Sequence, residues 1–320
     1  MYLCGLKKIS PHRYIVNIEW VCLLVFLTFL SFQTNAAGGD QDTSKLFNPK
    51  RAKIAGISLG VTYAVSMTGL YQLWYKDYPS SKFHFFDDKN EWERMDKLGH
   101  IGSSYYISRW CNNIISWTGT NNKRSALIGT GISFLYLSTI EMFDAYSSNW
   151  GFSVSDVVAN TAGCGLFLGQ ELLWNEQRMQ VKFSYVNTRY PRFRPDELGS
   201  SGIENVFKDY NGQTYWLSIN IHSFLPESSR FPKWLNIAGG IGADGMVTAY
   251  EQVFEIDQVI FPERDRILEY YIGPDIDLTK ILPNSKVMKA IGEVFGFIKF
   301  PLPAIKWSER GRPNFLKFGF

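Results

Sequence analysis

Cysteine and histidine are scarce: four of each in 320 residues. The cysteines form no CxxC pair, which leaves no zinc ribbon or thioredoxin-like motif. The histidines show no HExxH spacing, so a zincin is excluded, and no P-loop string is present. Charge of one sign is also missing. The net charge is +3, and most of it sits in residues 1–36, where Lys7, Lys8 and Arg13 face Glu19. No basic stripe is left to follow a phosphate backbone, so nucleic acid is not an expected partner. What the chain has instead is aromatic residues, 16% of the total. That enrichment suits membrane interfaces and β-sheets.

The N-terminus carries a basic n-region (Lys7, Lys8, Arg13), an apolar h-region (Val21 to Phe32) and small residues at Thr34-Asn35-Ala36-Ala37-Gly38. This order predicts a signal peptide over 1–36, cleaved near Ala36 or Ala37, with a flexible leader over 37–49. An uncleaved anchor is the alternative, but the apolar run is short for a span of ~20 residues. Cys22 follows Glu19-Trp20-Val21, not the small residues that a lipidation site needs. Cleavage would leave Cys111 and Cys164, either a pair or two buried small hydrophobes.

Ile54 to Tyr75 contains no charge and mixes small with large apolar residues. Its length fits a membrane span; a buried core helix fits equally. Asp87-Asp88-Lys89-Asn90 breaks the pattern. Further helices are expected over about 92–117, 125–146 and 155–178, the last with Ser153 or Ser155 as N-cap. Their uncharged stretches fall short of a span, which points to a helical bundle. From residue 181 the pattern alternates, with strands expected at 180–186, 213–224, 234–248, 266–278, 292–299, 304–308 and 314–320. In 213–224, Tyr215, Leu217, Ile219 and Ile221 share one face and Trp216, Ser218, Asn220 and His222 the other. Leu316, Phe318 and Phe320 are similar to the closing strand of outer-membrane β-barrels, but four to seven strands are too few for the usual membrane barrel. The expected fold is α+β: a bundle of about four hydrophobic helices over 50–180, then an antiparallel sheet or partial barrel over 181–320.

A polar constellation sits on the helices. Asp96 and His100, with Lys97 between them, are four apart and share a face; so do Glu141 and Asp144, three apart, and Asp156 and Asn160, four apart. All lie among apolar neighbours, and an unpaired buried charge is costly, so these groups are expected to meet. One reading is a structural network that fixes helix register. Another is a ligand-binding or catalytic site with His100 as general acid or base, oriented by Asp96, and Glu141, Asp144 or Asp156 as partner. One His among carboxylates can hold a divalent ion, but without a two-His spacing the expectation is no metal and no cofactor.

Asp96-Lys97-x-Gly99-His100, then Glu141-x-x-Asp144, then Gly151-Phe152-Ser153-x-x-Asp156-x-x-Ala159-Asn160-x-x-Gly163 resembles the YfiM-like family of predicted periplasmic lipoproteins of unknown function. The same order of motifs is similar to the VanZ-like membrane proteins, linked to glycopeptide-antibiotic resistance. The match runs over roughly residues 50–180 and leaves the β-rich part as an extension. The resemblance implies an exported protein of a Gram-negative cell envelope, in the outer membrane or periplasm. It is expected to be membrane-associated and structural or ligand-binding. The alternative is an envelope enzyme, or a lipid- or glycan-binding protein, that uses the cluster.

Overall fold

A computed structural model describes residues 47–76, 78–250, 255–256, 259–260, 265–282 and 284–319. The expected signal peptide, most of the leader and the terminal Phe320 lie outside the described residues.

Helix α1 (Pro49–Leu70) begins earlier than the uncharged run suggests. The Asn48 side chain accepts from the Lys50 and Arg51 amides, and Pro49 needs no partner at the first position. Residues 48 and 49 therefore belong to the helix and not to a leader. One π-helical turn, Tyr71–Tyr75, extends it. Of its residues only Ala55 and Met67 are buried, so α1 is no core helix. Among the described residues, α3 (Asn122–Ala145) alone is long and apolar enough to cross a membrane, and only 33% of its apolar window is buried. Its uncharged stretch, residues 125–140, is short of a full span, as expected of the later helices.

Helices α2 (Met95–Trp117), α3 and α4 (Val154–Trp174) pack against one another. Before α2, Trp92, Glu93 and Arg94 take positive φ of 48°, 52° and 66°, each outside the region that side chains prefer. Trp92 is buried against Met95, Tyr190 and Met246, and Arg266 pairs with Glu93 at 3.0 Å, which holds this turn. Helix α2 thus starts at 95, not 92. Ser153 caps α4 through the Asp156 amide, and α4 ends at Asn175 in the left-handed conformation, short of the expected Arg178. Gly163 is required where α4 crosses α2: a Cβ there would stand 2.2 Å from the Ile101 carbonyl oxygen.

Six antiparallel strands form one sheet in the order β1-β2-β3-β6-β7-β8: β1 Met179–Tyr185, β2 Gln213–Asn220, β3 Leu235–Asp244, β6 Ile267–Ile276, β7 Ala304–Ser308 and β8 Asn314–Leu316. Glu255–Ile256 (β4) and Val259–Ile260 (β5) make a separate hairpin. Short helices α5 (Pro195–Leu198), α6 (Gly202–Lys208) and α7 (Leu278–Ile281) fill connections. The fold is α+β, helices first and sheet after. Residues 292–299 are not a strand. Half of that span lies in α8 (Lys286–Phe295), capped by Ser285, with Ala290 and Val294 four apart on its buried side. After it Ile298 bridges in parallel to Phe183 of β1, whose amide and carbonyl bond to the Phe297 carbonyl and the Lys299 amide. The Leu302 carbonyl accepts from the Gly319 amide at 2.7 Å, so segment 297–302 bonds to both margins of the sheet.

The sheet is inverted with respect to an ordinary soluble one. In β2 it is Trp216, Ser218 and Asn220 that are buried, while Leu217 on the apolar face is exposed. Ile237, Ile241, Ile272, Ile305, Trp307 and Phe315 are likewise exposed. The inner face holds Lys182, Glu269, Tyr271, Asp275 and Asn236. Gly240 leaves room there for the Trp216 ring, which a Cβ would meet at 2.6 Å.

Candidate functional site

The site forms where the three packed helices meet the loop before α2. Lys97 is its hub. Its ammonium lies 2.8 Å from Asp88, 2.8 Å from Asp96 and 2.7 Å from Asp156. Burial alone would depress the Lys97 pKa, but the Asp96 and Asp156 carboxylates outweigh it and raise it. Asp88 was read in the sequence only as part of a break. It closes the ring by accepting from the Ser153 and Ser155 hydroxyls, both at 2.6 Å. Burial works to raise its pKa, but hydrogen bonds from Lys97, Ser153 and Ser155 hold it down at about 2.

His100 sits one turn further along α2. Its Nδ1 is 3.1 Å from Asn160 Oδ1 and 3.9 Å from Glu141, and its Nε2 is 3.6 Å from Asp156. An amide oxygen on Nδ1 favours the tautomer that carries its proton there and leaves Nε2 free. The ring is thus oriented by Asn160, not by Asp96, whose carboxylate turns to Lys97. Asp144 also turns away from His100 and accepts from the Tyr75 hydroxyl at 2.7 Å, a partner from the end of α1 that no spacing rule picks out. Of the seven candidates, Asp96, Lys97 and Asp156 form one contact set, and His100, Glu141, Asp156 and Asn160 another. Asp156 joins the two. Gly163, one turn beyond Asn160, makes this possible, since only a glycine lets α4 approach α2 so closely.

The network is incomplete. Among the described residues, neither oxygen of Glu141 has a hydrogen-bond donor, although the residue is only 1% exposed. Asp96 Oδ1 and Asn160 Nδ2 are also without partners. Burial, reinforced by the Asp156 and Asp144 carboxylates, pushes Glu141 up to about 9. Burial likewise lifts Asp96 and Asp144 to about 6, with Lys97 and Tyr75 respectively opposing it. It raises Asp156 as well, against His100 and Lys97.

Beside this cluster lies a cleft of about 800 Å³. Tyr75, Asp88, Asp96, His100, Asp144 and Asp156 make its polar wall. Tyr106, Ile107, Trp110, Leu137 and Ile140 from the helices, with Val181, Phe183 and Tyr215 from the outer face of β1 and β2, make the rest apolar. A mostly apolar cleft with a few convergent polar groups is the usual form of a small-ligand site.

Other sequence features do not join the site. Cys111 and Cys164 are buried free thiols, and burial pushes Cys111 up to about 12. Gly56-Ile57-Ser58-Leu59-Gly60 spells a nucleophile elbow but lies inside α1, not at a strand-to-helix turn. Gly240-Ile241-Gly242-Ala243-Asp244-Gly245 spells a dinucleotide fingerprint but runs along β3 and opens no helix.

Residues 84–169 match a family described as "Predicted periplasmic lipoprotein (DUF2279)", whose function is unknown. The matched span contains every residue of the cluster except Tyr75, and the sheet lies outside it. The match agrees with the cell-envelope location in a Gram-negative bacterium that the motif resemblance implies, and with the export that the N-terminal pattern predicts. Comparisons with curated proteins and with solved structures give no match.

Proposed function

We propose that the protein is a membrane-associated envelope protein that binds an amphiphilic ligand. Its polar head would sit against Asp88, Asp96, His100, Asp144 and Asp156, and its apolar part along Ile107, Leu137 and Phe183. One observation carries this reading: the buried polar cluster is a wall of a large cleft whose other walls are apolar. A network that served only to fix helix register would be sealed and fully hydrogen-bonded. Among the described residues Asp96, which lines the cleft, has an unpaired oxygen, and Glu141 and Asn160 keep unpaired atoms behind His100 and Asp156, which also line it. Exposed apolar side chains on α1 (Ile54, Ile57, Val61), on α3 (Leu127, Leu135) and on the outer face of the sheet support membrane association.

The test is extraction of the detergent-purified full chain, followed by mass spectrometry of what it releases. A co-purifying amphiphile is expected, and Leu137→Trp, which fills the cleft, should reduce its retention while the circular dichroism spectrum is unchanged. Equal retention by wild type and Leu137→Trp, or no amphiphile in either, would overturn the reading. Fractionation checks the membrane: release into the soluble periplasm without detergent would count against it.

A further inference from the structure

We infer that His100, Glu141 and Asp156 bind a divalent first-row cation of the zinc type. This goes beyond the amphiphile reading and does not depend on it. One ligand atom from each residue can be chosen so that all three lie within 4.8 Å of one another. Ligand atoms around one zinc ion, at about 2.0–2.2 Å from it, stand roughly 3–4 Å apart, so small side-chain adjustments suffice. The neighbouring trio Asp88, Asp96 and Asp156 is a poorer candidate, because the Lys97 ammonium already contacts all three.

Charge points the same way. Asp88, Asp96, Glu141 and Asp156 are gathered around one ammonium and one imidazole. Glu141 is the decisive group: it is 99% hidden from solvent, it faces His100 and Asp156, and among the described residues neither of its oxygens has a donor. A buried carboxylate left in this state is costly unless it meets a proton or a metal. His100 is set up as a ligand. The Asn160 oxygen at Nδ1 leaves Nε2 free to bind, the second-sphere arrangement that fixes a metal-binding imidazole. One imidazole with two carboxylates favours zinc-like ions over magnesium, which prefers an all-oxygen shell.

The test uses the full chain in detergent, stripped by a chelator and titrated calorimetrically with Zn²⁺, and with Mg²⁺ for comparison. One Zn²⁺ per chain is expected, with Mg²⁺ much weaker. Glu141→Gln and His100→Gln should each weaken Zn²⁺ by at least about 10-fold, since even second-sphere changes cost about that much. Glu227→Gln, an exposed carboxylate elsewhere, should bind as wild type does. Absent stoichiometric binding, or equal binding by wild type and Glu141→Gln, would overturn the inference. Should both variants misfold, X-ray absorption of the Co²⁺-loaded wild type decides: an imidazole nitrogen among oxygens supports the site, and an all-oxygen shell rejects it. Amphiphile retention is read on the same preparation before and after chelation, so failure of either proposal is seen separately.

Discussion

Lys182 and Lys299 lie buried at the inner face of the sheet with Asp275 beside them at 2.6 and 3.6 Å, all three closed to solvent. Lys97 lies in the helical half with three carboxylates around it. The two regions bury similar groups and differ in how completely they pair them. In the sheet, Ser218 donates to Asp275, Asn236 to Ser218 and Asn220 to Asn236, while the two ammoniums also reach the Ile276 and Pro274 carbonyls. No member of this set is left unpaired among the described residues. In the helical half, among the described residues, Glu141, Asp96 and Asn160 retain unpaired atoms, and Asp96 lines a cleft. A sealed and completed polar network specifies a structure; one that stops short at the wall of a cavity leaves groups available to a ligand.

The largest expected effect comes from breaking the completed network. Asp275→Ala would leave Lys182 and Lys299 buried without a carboxylate, which should cost about 3–5 kcal/mol, read as a shift of the denaturant midpoint. A loss well below that would mean that water reaches the inner face of the sheet, and the contrast between the two regions would weaken. Gly163→Ala comes next. The added methyl would collide with the Ile101 carbonyl and the Ser104 hydroxyl, and overpacking of this kind costs about 1–3 kcal/mol. It should also separate Asn160 from His100, so ligand or metal affinity should fall more than stability does. Unchanged stability would show that α4 does not need its close approach to α2.

Much of the helical half was legible in sequence because a 3.6-residue period fixes which side chains share a face. Asp96/His100, Glu141/Asp144 and Asp156/Asn160 were read as three such faces without knowing how they turn. Asp88 and Tyr75 were not legible. One lies in an irregular loop and the other in a π-helical turn, and neither follows a repeat. The sheet misled in a different way. Alternation separates two faces but does not say which is inside, and here it is the Trp216/Ser218/Asn220 face. In 292–299, glycine and alternating apolar residues suggested a strand, yet the Ser285 cap and the spacing of Ala290 and Val294 impose a helix.

Replacing Glu141 gives a smaller and more discriminating effect. Without metal the buried carboxyl keeps a proton that the unfolded chain gives up, so Glu141→Gln should lose no stability near pH 6 and should gain up to about 2 kcal/mol, in contrast to the loss expected for Asp275→Ala. Melting curves of the chelated protein provide the measurement. A loss as large as that of Asp275→Ala would show that Glu141 has a partner, and the helical network would then be as complete as that of the sheet.

The pH dependence separates the two halves most finely. The folded-state value of Glu141, about 9, lies above its ordinary 4.5. Those of Asp96 and Asp144, about 6, lie above their ordinary 3.8. A carboxyl with a raised folded-state pKa keeps a proton that the unfolded chain gives up. Its contribution is therefore complete below the unfolded value and is lost as pH rises through the folded one. Asp96 and Asp144 act between about pH 4 and 6. Of these three groups only Glu141 still acts between about pH 6 and 9, with a slope of up to about −1.4 kcal/mol per pH unit. Asp88, held down at about 2, works in the opposite sense but only below about pH 4, outside this window. Chelated wild type should thus lose stability from pH 6 to 9 faster than Glu141→Gln does, and the two should run parallel below pH 4. Denaturant midpoints across that range test it; parallel curves from pH 6 to 9 would show that Glu141 is ionised in the folded protein. Saturating Zn²⁺ should flatten the wild-type curve, because a bound cation replaces the proton, and at the same concentration should stabilise Glu141→Gln less.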